Sequence, residues 1–299
     1  MTGYYLLRIF SWLIYKMPRR VLYFHSDVFF TIVYYLVRYR RDVVNQNLAN
    51  SFPEKTKKER DLIAKNFYHH FCDTFLETLY FDRMSVSEAK NCVKYLNSEL
   101  PNSYLEQGRD VIVFLGHYNN WEWFANWPLY SPHRFYPIYK KLKNKAFERF
   151  YLDLRSQFGA RPLERAATFR QLMSDHQNKI PTMSAFIFDQ TPRGNDIQHW
   201  MTFLNQETPV ILGAEKVAQK IDAVVVFIHS KKIKRGYYEA EYQLVTDHAG
   251  ACPKFEITDT CMRLLEHQIN NSPEFWLWSH KRWKHNRALI EQGKLLENK

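Results

Sequence analysis

His117 and Glu122 stand five residues apart in Asp110–Trp123, DVIVFLGHYNNWEW, where an apolar run ends at a glycine and polar residues follow. A histidine held by a carboxylate can take the proton of a hydroxyl and so turn it into a nucleophile. The spacing alone carries little weight. With 12 histidines and 31 acidic residues among 299, chance supplies about one such pair, and the chain has one. The surroundings say more: Val111–Leu115 predicts a strand, Gly116 ends it, and Asn119 or Asn120 is placed to cap a helix over Trp121–Trp127. Ligands of open α/β sheets bind outside the carboxyl ends of strands, which is where His117 falls. On a single helix the two side chains would point ~140° apart. The pair therefore works with His117 in the loop and Glu122 in the first helical turn, one ring nitrogen bonded to Glu122 and the other free to take a proton. The plainer alternative is a histidine that only closes the loop.

A second strand end lies in Ser184–Gly194, SAFIFDQTPRG. Asp189 and Gln190 would share an edge with His117 if the two strands are parallel neighbours; otherwise Asp189 opens a turn. Between the two segments run Lys140, Lys141, Lys143, Lys145, Arg149, Arg155, Arg161 and Arg165. Such a run is either a solvated face or a cradle for phosphate or carboxylate, which arginine grips with two parallel hydrogen bonds. No serine or cysteine sits in a nucleophile motif, and no H-E-x-x-H occurs. A catalytic His117 would then act by direct transfer: it deprotonates an acceptor hydroxyl, which attacks an activated acyl group without an acyl-enzyme intermediate.

The elements that must position these residues follow from periodicity. Thr56 and Glu59 form a capping-box pattern ahead of a helical stretch with Leu62, Phe67, Phe71, Phe75 and Leu76. Strands are expected at Val111–Leu115, Arg134–Tyr139, Thr182–Phe188, Ala223–His229 and Tyr237–Val245. Helices are expected at Trp121–Trp127, Asn144–Phe158, Thr168–Gln177, Pro209–Gln219 and Phe255–Asn270. The alternation argues for an α/β fold with a central, mainly parallel or mixed sheet flanked by helices. The basic run Lys231–Arg235 before Gly236 reads as a solvated hairpin tip, and Phe275–Trp283 as core aromatics with His280 and Arg282 at their polar end. The first forty residues differ: Tyr4–Tyr15 and Val21–Val37 are apolar and aromatic, with basic breaks at Lys16, Arg19, Arg20 and at Arg38, Arg40, Arg41. No signal-peptide cleavage site follows. Aromatic edges and basic flanks suit a bilayer interface, so this segment is expected to anchor the chain to a membrane, lying on it or spanning it; the alternative is a pair of buried core helices.

Composition narrows the function. Lys and Arg outnumber Asp and Glu 42 to 31, a net charge of +11 that favours an anionic partner. No two of the nine glycines stand two or four residues apart, which excludes the dinucleotide fingerprint, the kinase glycine loop and the G-x-S-x-G elbow. The four cysteines form no C-x-x-C pair and read as reduced thiols. No nucleic-acid-binding signature accompanies the charge, and neither metal nor cofactor is called for. A non-catalytic membrane scaffold remains as a rival, one that would have no use for His117 and Glu122.

The chain resembles the lysophospholipid-acyltransferase-like superfamily, specifically the lipid A biosynthesis (late) acyltransferases of Gram-negative bacteria. The likeness runs through the apolar N-terminus, Arg40–Glu54 (RRDVVNQNLANSFPE), the H-x4-E of GHYNNWEW, Tyr139–Asn144 (YKKLKN), Arg155, Arg165, FDQTPRG and WSHKRW, in that order. Lys140 stands where arginine is commoner and Lys141 where proline is. The resemblance implies His117 and Glu122 as the catalytic pair, and Lys140, Asn144, Arg155, Arg165, Asp189 and Gln190 as substrate-binding residues. It also implies a membrane-anchoring segment, residues 1–38, ahead of an acyltransferase domain, residues 39–299, on the cytoplasmic face of an inner membrane. There the enzyme would move a fatty acyl chain from acyl carrier protein to a hydroxyl of an anionic lipid A precursor, or, on a related reading, of an aminolipid or glycolipid. Arg155 and Arg165 would bind the acceptor's phosphate or hold an acidic side chain in place.

Overall fold

A computed structural model describes residues 2–285, 287 and 288; the remainder of the expected second domain, residues 286 and 289–299, lies outside them. Two apolar helices open the chain, α1 (Thr2–Lys16) and α2 (Arg19–Thr31), and a π-helical stretch, Ile32–Val37, follows. Next come α3 (Arg41–Ser51) and α4 (Lys57–Phe81). Thr56 starts α4 as its sequence predicts: its hydroxyl accepts from the Glu59 amide while the Glu59 carboxylate accepts from the Thr56 amide. The alternating part begins with α5 (Val86–Cys92), β1 (Val93–Tyr95), α6 (Glu99–Glu106), β2 (Val111–Leu115), β3 (Arg134–Tyr139) and α7 (Lys145–Ser156). It continues through β4 (Leu163–Glu164), α8 (Thr168–Gln177), β5 (Thr182–Ile187), the hairpin β6 (Trp200–Phe203) and β7 (Gln206–Pro209), and α9 (Gly213–Lys220). The long strands β8 (Val224–Lys234) and β9 (Tyr237–Thr246) and helix α10 (Glu256–Asn271) follow.

Seven strands make one sheet in the order β1-β9-β8-β2-β5-β3-β4. Every pairing is parallel except β8 with β9. The fold is thus the expected α/β, with a mainly parallel, mixed sheet. All five residues of β2 are buried, as a parallel strand covered on both faces requires. Alternate side chains feed two cores: Ile112 and Phe114 pack with Phe188 and Leu265 on one face, and Val111, Val113 and Leu115 with Trp123 and Trp127 on the other.

Four sequence expectations need correcting. Trp121–Leu129 is a 3-10 helix containing Pro128, not an α-helix, and neither Asn119 nor Asn120 caps it through its side chain. Pro209 ends strand β7, so the helix expected from that residue begins only at Gly213. The Lys231–Arg235 run does form the tip of the β8–β9 hairpin, with Lys231 and Lys234 exposed, but it is only partly solvated: Lys232 and Arg235 both bond Asp73 of α4 and Arg235 also reaches Asp27 of α2. Arg282 is not at a polar end but fully buried, with its Nη2 donating to the Pro209 carbonyl.

The N-terminal helices have two apolar faces. One packs: Tyr4 and Ile14 are buried against the rest of the chain, the Tyr4 hydroxyl bonds Asp153 of α7, and Ser11 bonds Asp82 beyond the end of α4. The other is open, with Leu6, Ile9, Phe10, Trp12 and Leu13 on α1 and Phe24 and Val28 on α2 exposed. Among the described residues no helix is long and apolar enough to cross a membrane.

Candidate active site

Register builds the site. Leu115 of β2 lies beside Ile187 of β5, and Pro137 of β3 beside Ala185. Parallel strands in register deliver the residues that follow them to the same edge, so His117 and Asp189, each two residues past its strand, emerge side by side. His117 Nδ1 lies 2.6 Å from Asp189 Oδ1, and the His117 amide donates to Asp189 Oδ2 at 2.9 Å. Gly116 allows this closeness: a Cβ there would stand 2.6 Å from Leu265 Cδ1 and 3.4 Å from Asp189 Oδ2.

A third donor, the Trp276 indole, reaches Asp189 Oδ2 at 2.8 Å. Asp189 is 2% exposed. Burial works against its charge, but His117 and these three hydrogen bonds outweigh it and bring the carboxyl down to about 2. With Asp189 ionised, Nδ1 carries the hydrogen of that bond, and in the neutral ring the lone pair is then on Nε2. The Gln190 amide nitrogen sits 3.1 Å from that lone pair, and the Trp121 ring stands edge-on to the imidazole at 5.0 Å.

Glu122 is not the ring's partner. Its carboxylate takes two parallel hydrogen bonds from Arg155, Nε to Oε2 at 2.8 Å and Nη2 to Oε1 at 2.7 Å. The 3-10 geometry of its helix and the side-chain bonds of the two asparagines explain the outcome. Asn120 donates to Glu77 and Asn119, at a φ of 55°, donates to the Ser230 carbonyl. The loop is thereby pinned with Glu122 turned toward α7. Arg155, although burial opposes its charge, is held more firmly protonated than a free arginine by Glu122. Its guanidinium also lies over the rings of Tyr139 and Tyr151.

The remaining sequence-predicted residues divide. Asn144 caps α7, its Oδ1 accepting from the amides of Ala146 and Phe147. Lys140 and Arg165 are exposed at the mouth of the cleft, Arg165 lying 3.6 Å from Asp196. The cleft has a volume of about 500 Å³ and brings together His117, Glu122, Lys140, Arg155, Arg165 and Gln190. A smaller cavity of about 140 Å³ adjoins it through Trp121, Glu122, Tyr151 and Leu277 and is walled by Phe67, Phe71 and Phe75 of α4. Sequence reasoning missed Trp276, which a core aromatic run hides, and the backbone that carries it: the Leu277 amide donates to the His117 carbonyl and the Asn119 amide to the Phe275 carbonyl.

An ionised carboxylate, an imidazole whose Nε2 meets a side-chain amide and a cleft that is part basic and part apolar suit the deprotonation of a hydroxyl on an amphiphile. The profile of the family described as bacterial lipid A biosynthesis acyltransferase matches residues 1–285. The chain belongs to that family. It is therefore an acyltransferase of the lipid A type; of the motifs that carried the resemblance, GHYNNWEW, YKKLKN, Arg155, Arg165 and FDQTPRG contribute to the lining of one cleft, and Arg40–Glu54 and WSHKRW do not. No curated protein matches this acyltransferase.

Proposed function

We propose that this acyltransferase moves a fatty acyl chain from acyl carrier protein to a hydroxyl of an anionic lipid A precursor, with His117 as general base and Asp189 as the carboxylate that orients it. The supporting observation is the Asp189–His117 Nδ1 contact of 2.6 Å at the edge of the cleft. His117 Nε2 takes the acceptor's hydroxyl proton as the oxygen attacks the thioester carbonyl. The tetrahedral oxyanion collapses, the carbon–sulfur bond breaks, and the thiolate leaves with the proton returned by the imidazolium. Asp189 stabilises that imidazolium without itself taking a proton. The Gln190 amide nitrogen, 3.1 Å from His117 Nε2, stands where the attacking hydroxyl would come, and the acceptor would displace it.

Glu122, braced by Arg155, stands between the cleft and the apolar cavity. The donor chain's aliphatic part would find its apolar lining there. Lys140 and Arg165 at the mouth offer charge to an anionic headgroup. The exposed apolar face of α1 and α2, flanked by basic residues, suits a helix pair lying in the plane of an anionic bilayer surface, with the site on the cytoplasmic side.

The reading is tested with purified protein, acyl-loaded carrier protein and a lipid A precursor in mixed micelles, products being read by mass spectrometry. One added acyl chain on the precursor and free carrier thiol in equal amounts are expected. Transfer to aminolipids or glycolipids but not to the precursor would overturn the acceptor assignment.

A further inference from the structure

We propose that Trp276 is a positioning residue for the acyl transfer, the group that locks the Asp189 carboxylate in the orientation that holds His117. This rests on the reading of His117 as general base. A carboxylate that bonds a ring through one oxygen can rotate unless its other oxygen is tied. Here Oδ2 is tied twice, by the His117 amide at 2.9 Å and by the Trp276 indole at 2.8 Å, which leaves Oδ1 facing Nδ1. The amide bond moves with the histidine it serves. The indole does not: it belongs to a separate segment of the chain and is the one fixed reference among the three donors.

That segment is built to be rigid. Trp276 is 2% exposed and packs edge-on against Trp278 and Phe203. Its backbone pairs with Tyr118 in an antiparallel bridge, flanked by the Leu277 amide on the His117 carbonyl and the Asn119 amide on the Phe275 carbonyl. The strand end bearing His117 is thus clamped on its backbone and on its partner carboxylate by the same three residues. An indole N–H buried here without an acceptor would cost free energy, so the bond to Asp189 also fixes the ring's own orientation.

The test compares Trp276→Phe, which keeps an aromatic ring and loses the N–H, with wild type and with His117→Ala. A donor to a charged acceptor is worth enough that kcat should fall roughly ten- to hundred-fold, with KM for donor and acceptor unchanged. The low-field proton resonance of the His117 Nδ1–H should shift or broaden in the same variant. Replacement of Trp276 by its benzothiophene isostere, in which sulfur takes the place of N–H, should reproduce both effects without disturbing packing, which keeps the proposal testable if the phenylalanine variant folds poorly. Wild-type kcat and an unchanged resonance in the isostere would overturn the proposal, as would a lowered melting temperature with kcat per folded molecule intact. Full turnover in His117→Ala would instead strike the general-base reading, whatever Trp276 does.

Discussion

Arg155 carries its fork on Glu122, and this pairing decides what its substitutions should do. Both side chains are largely shielded, at 19% and 11% exposure, so removing one leaves the other charged and poorly solvated. Arg155→Lys keeps the charge but cannot make two parallel bonds. It should lower the melting temperature and kcat together, and Glu122→Gln should do the same, while an arginine that met acceptor phosphate directly would raise acceptor KM at unchanged stability. Thermal melts beside steady-state kinetics separate the two. A pH effect belongs to His280, whose Nε2 accepts from the Thr191 amide. Burial first, then Arg282 and other cations, push it down to about 4 although Asp189 pulls the other way. A folded value below the ordinary 6.5 means that the unfolded chain binds the proton first. Its stabilisation is complete above about 6.5 and is lost as pH falls toward 4, a change on the order of 2–3 kcal/mol. Urea unfolding at about pH 7 and about pH 4.5 should show a larger loss for wild type than for His280→Gln; equal losses would remove His280 from the balance. Asp189, held at about 2, adds its own loss only below the ordinary carboxylate range.

At the scale of elements, α1 and α2 are part of the packed fold and also offer an apolar face outward. Deleting them would uncover Leu76, Leu79 and Phe81 of α4, which share a core with Tyr4, Ile14 and Leu22, so truncation confounds attachment with unfolding. Paired substitutions on the open face avoid that problem. Leu6→Glu with Phe10→Glu changes residues that are 62% and 46% exposed. Each side chain contributes roughly 1.5–3 kcal/mol if fully buried in lipid, so partition onto anionic vesicles should fall tenfold or more while circular dichroism stays the same. Undiminished sedimentation with vesicles would move the contact elsewhere. The strand end at Gly116 gives a second test. Gly116→Ala must push aside the buried Leu265 or shift the His117 loop. Overpacking of this kind costs typically 1–3 kcal/mol, and activity should drop more than the melting temperature accounts for.

Across the whole molecule, the legible parts were those set by period and local capping. The apolar run Val111–Leu115 and the capping box at Thr56 follow from near neighbours in the chain, whereas the placement of His117 beside Asp189 was legible only on the condition that their two strands pair in parallel. The illegible parts depend on contacts over long separations. Nothing in GHYNNWEW shows that Glu122 turns to Arg155 and away from the imidazole, because the choice is made by Glu77 and Ser230 gripping the two asparagines. Nothing in FWLWSHKRW marks which tryptophan spends its N–H on Asp189, nor that Arg282 ends in the core. A basic run is read as solvated unless its acidic partners are known, and those of Lys232 and Arg235 lie far back on α4 and α2.

The central claim is that His117 Nε2 removes the acceptor's proton, and the single-turnover rate of acyl transfer with His117→Ala tests it most directly. Pre-loaded donor, saturating acceptor and quenched flow isolate the chemical step from binding and release. Loss of a general base should slow that step by about 10²–10⁴-fold, with the protein folded and both substrates still bound. A single-turnover rate equal to that of wild type would contradict the account.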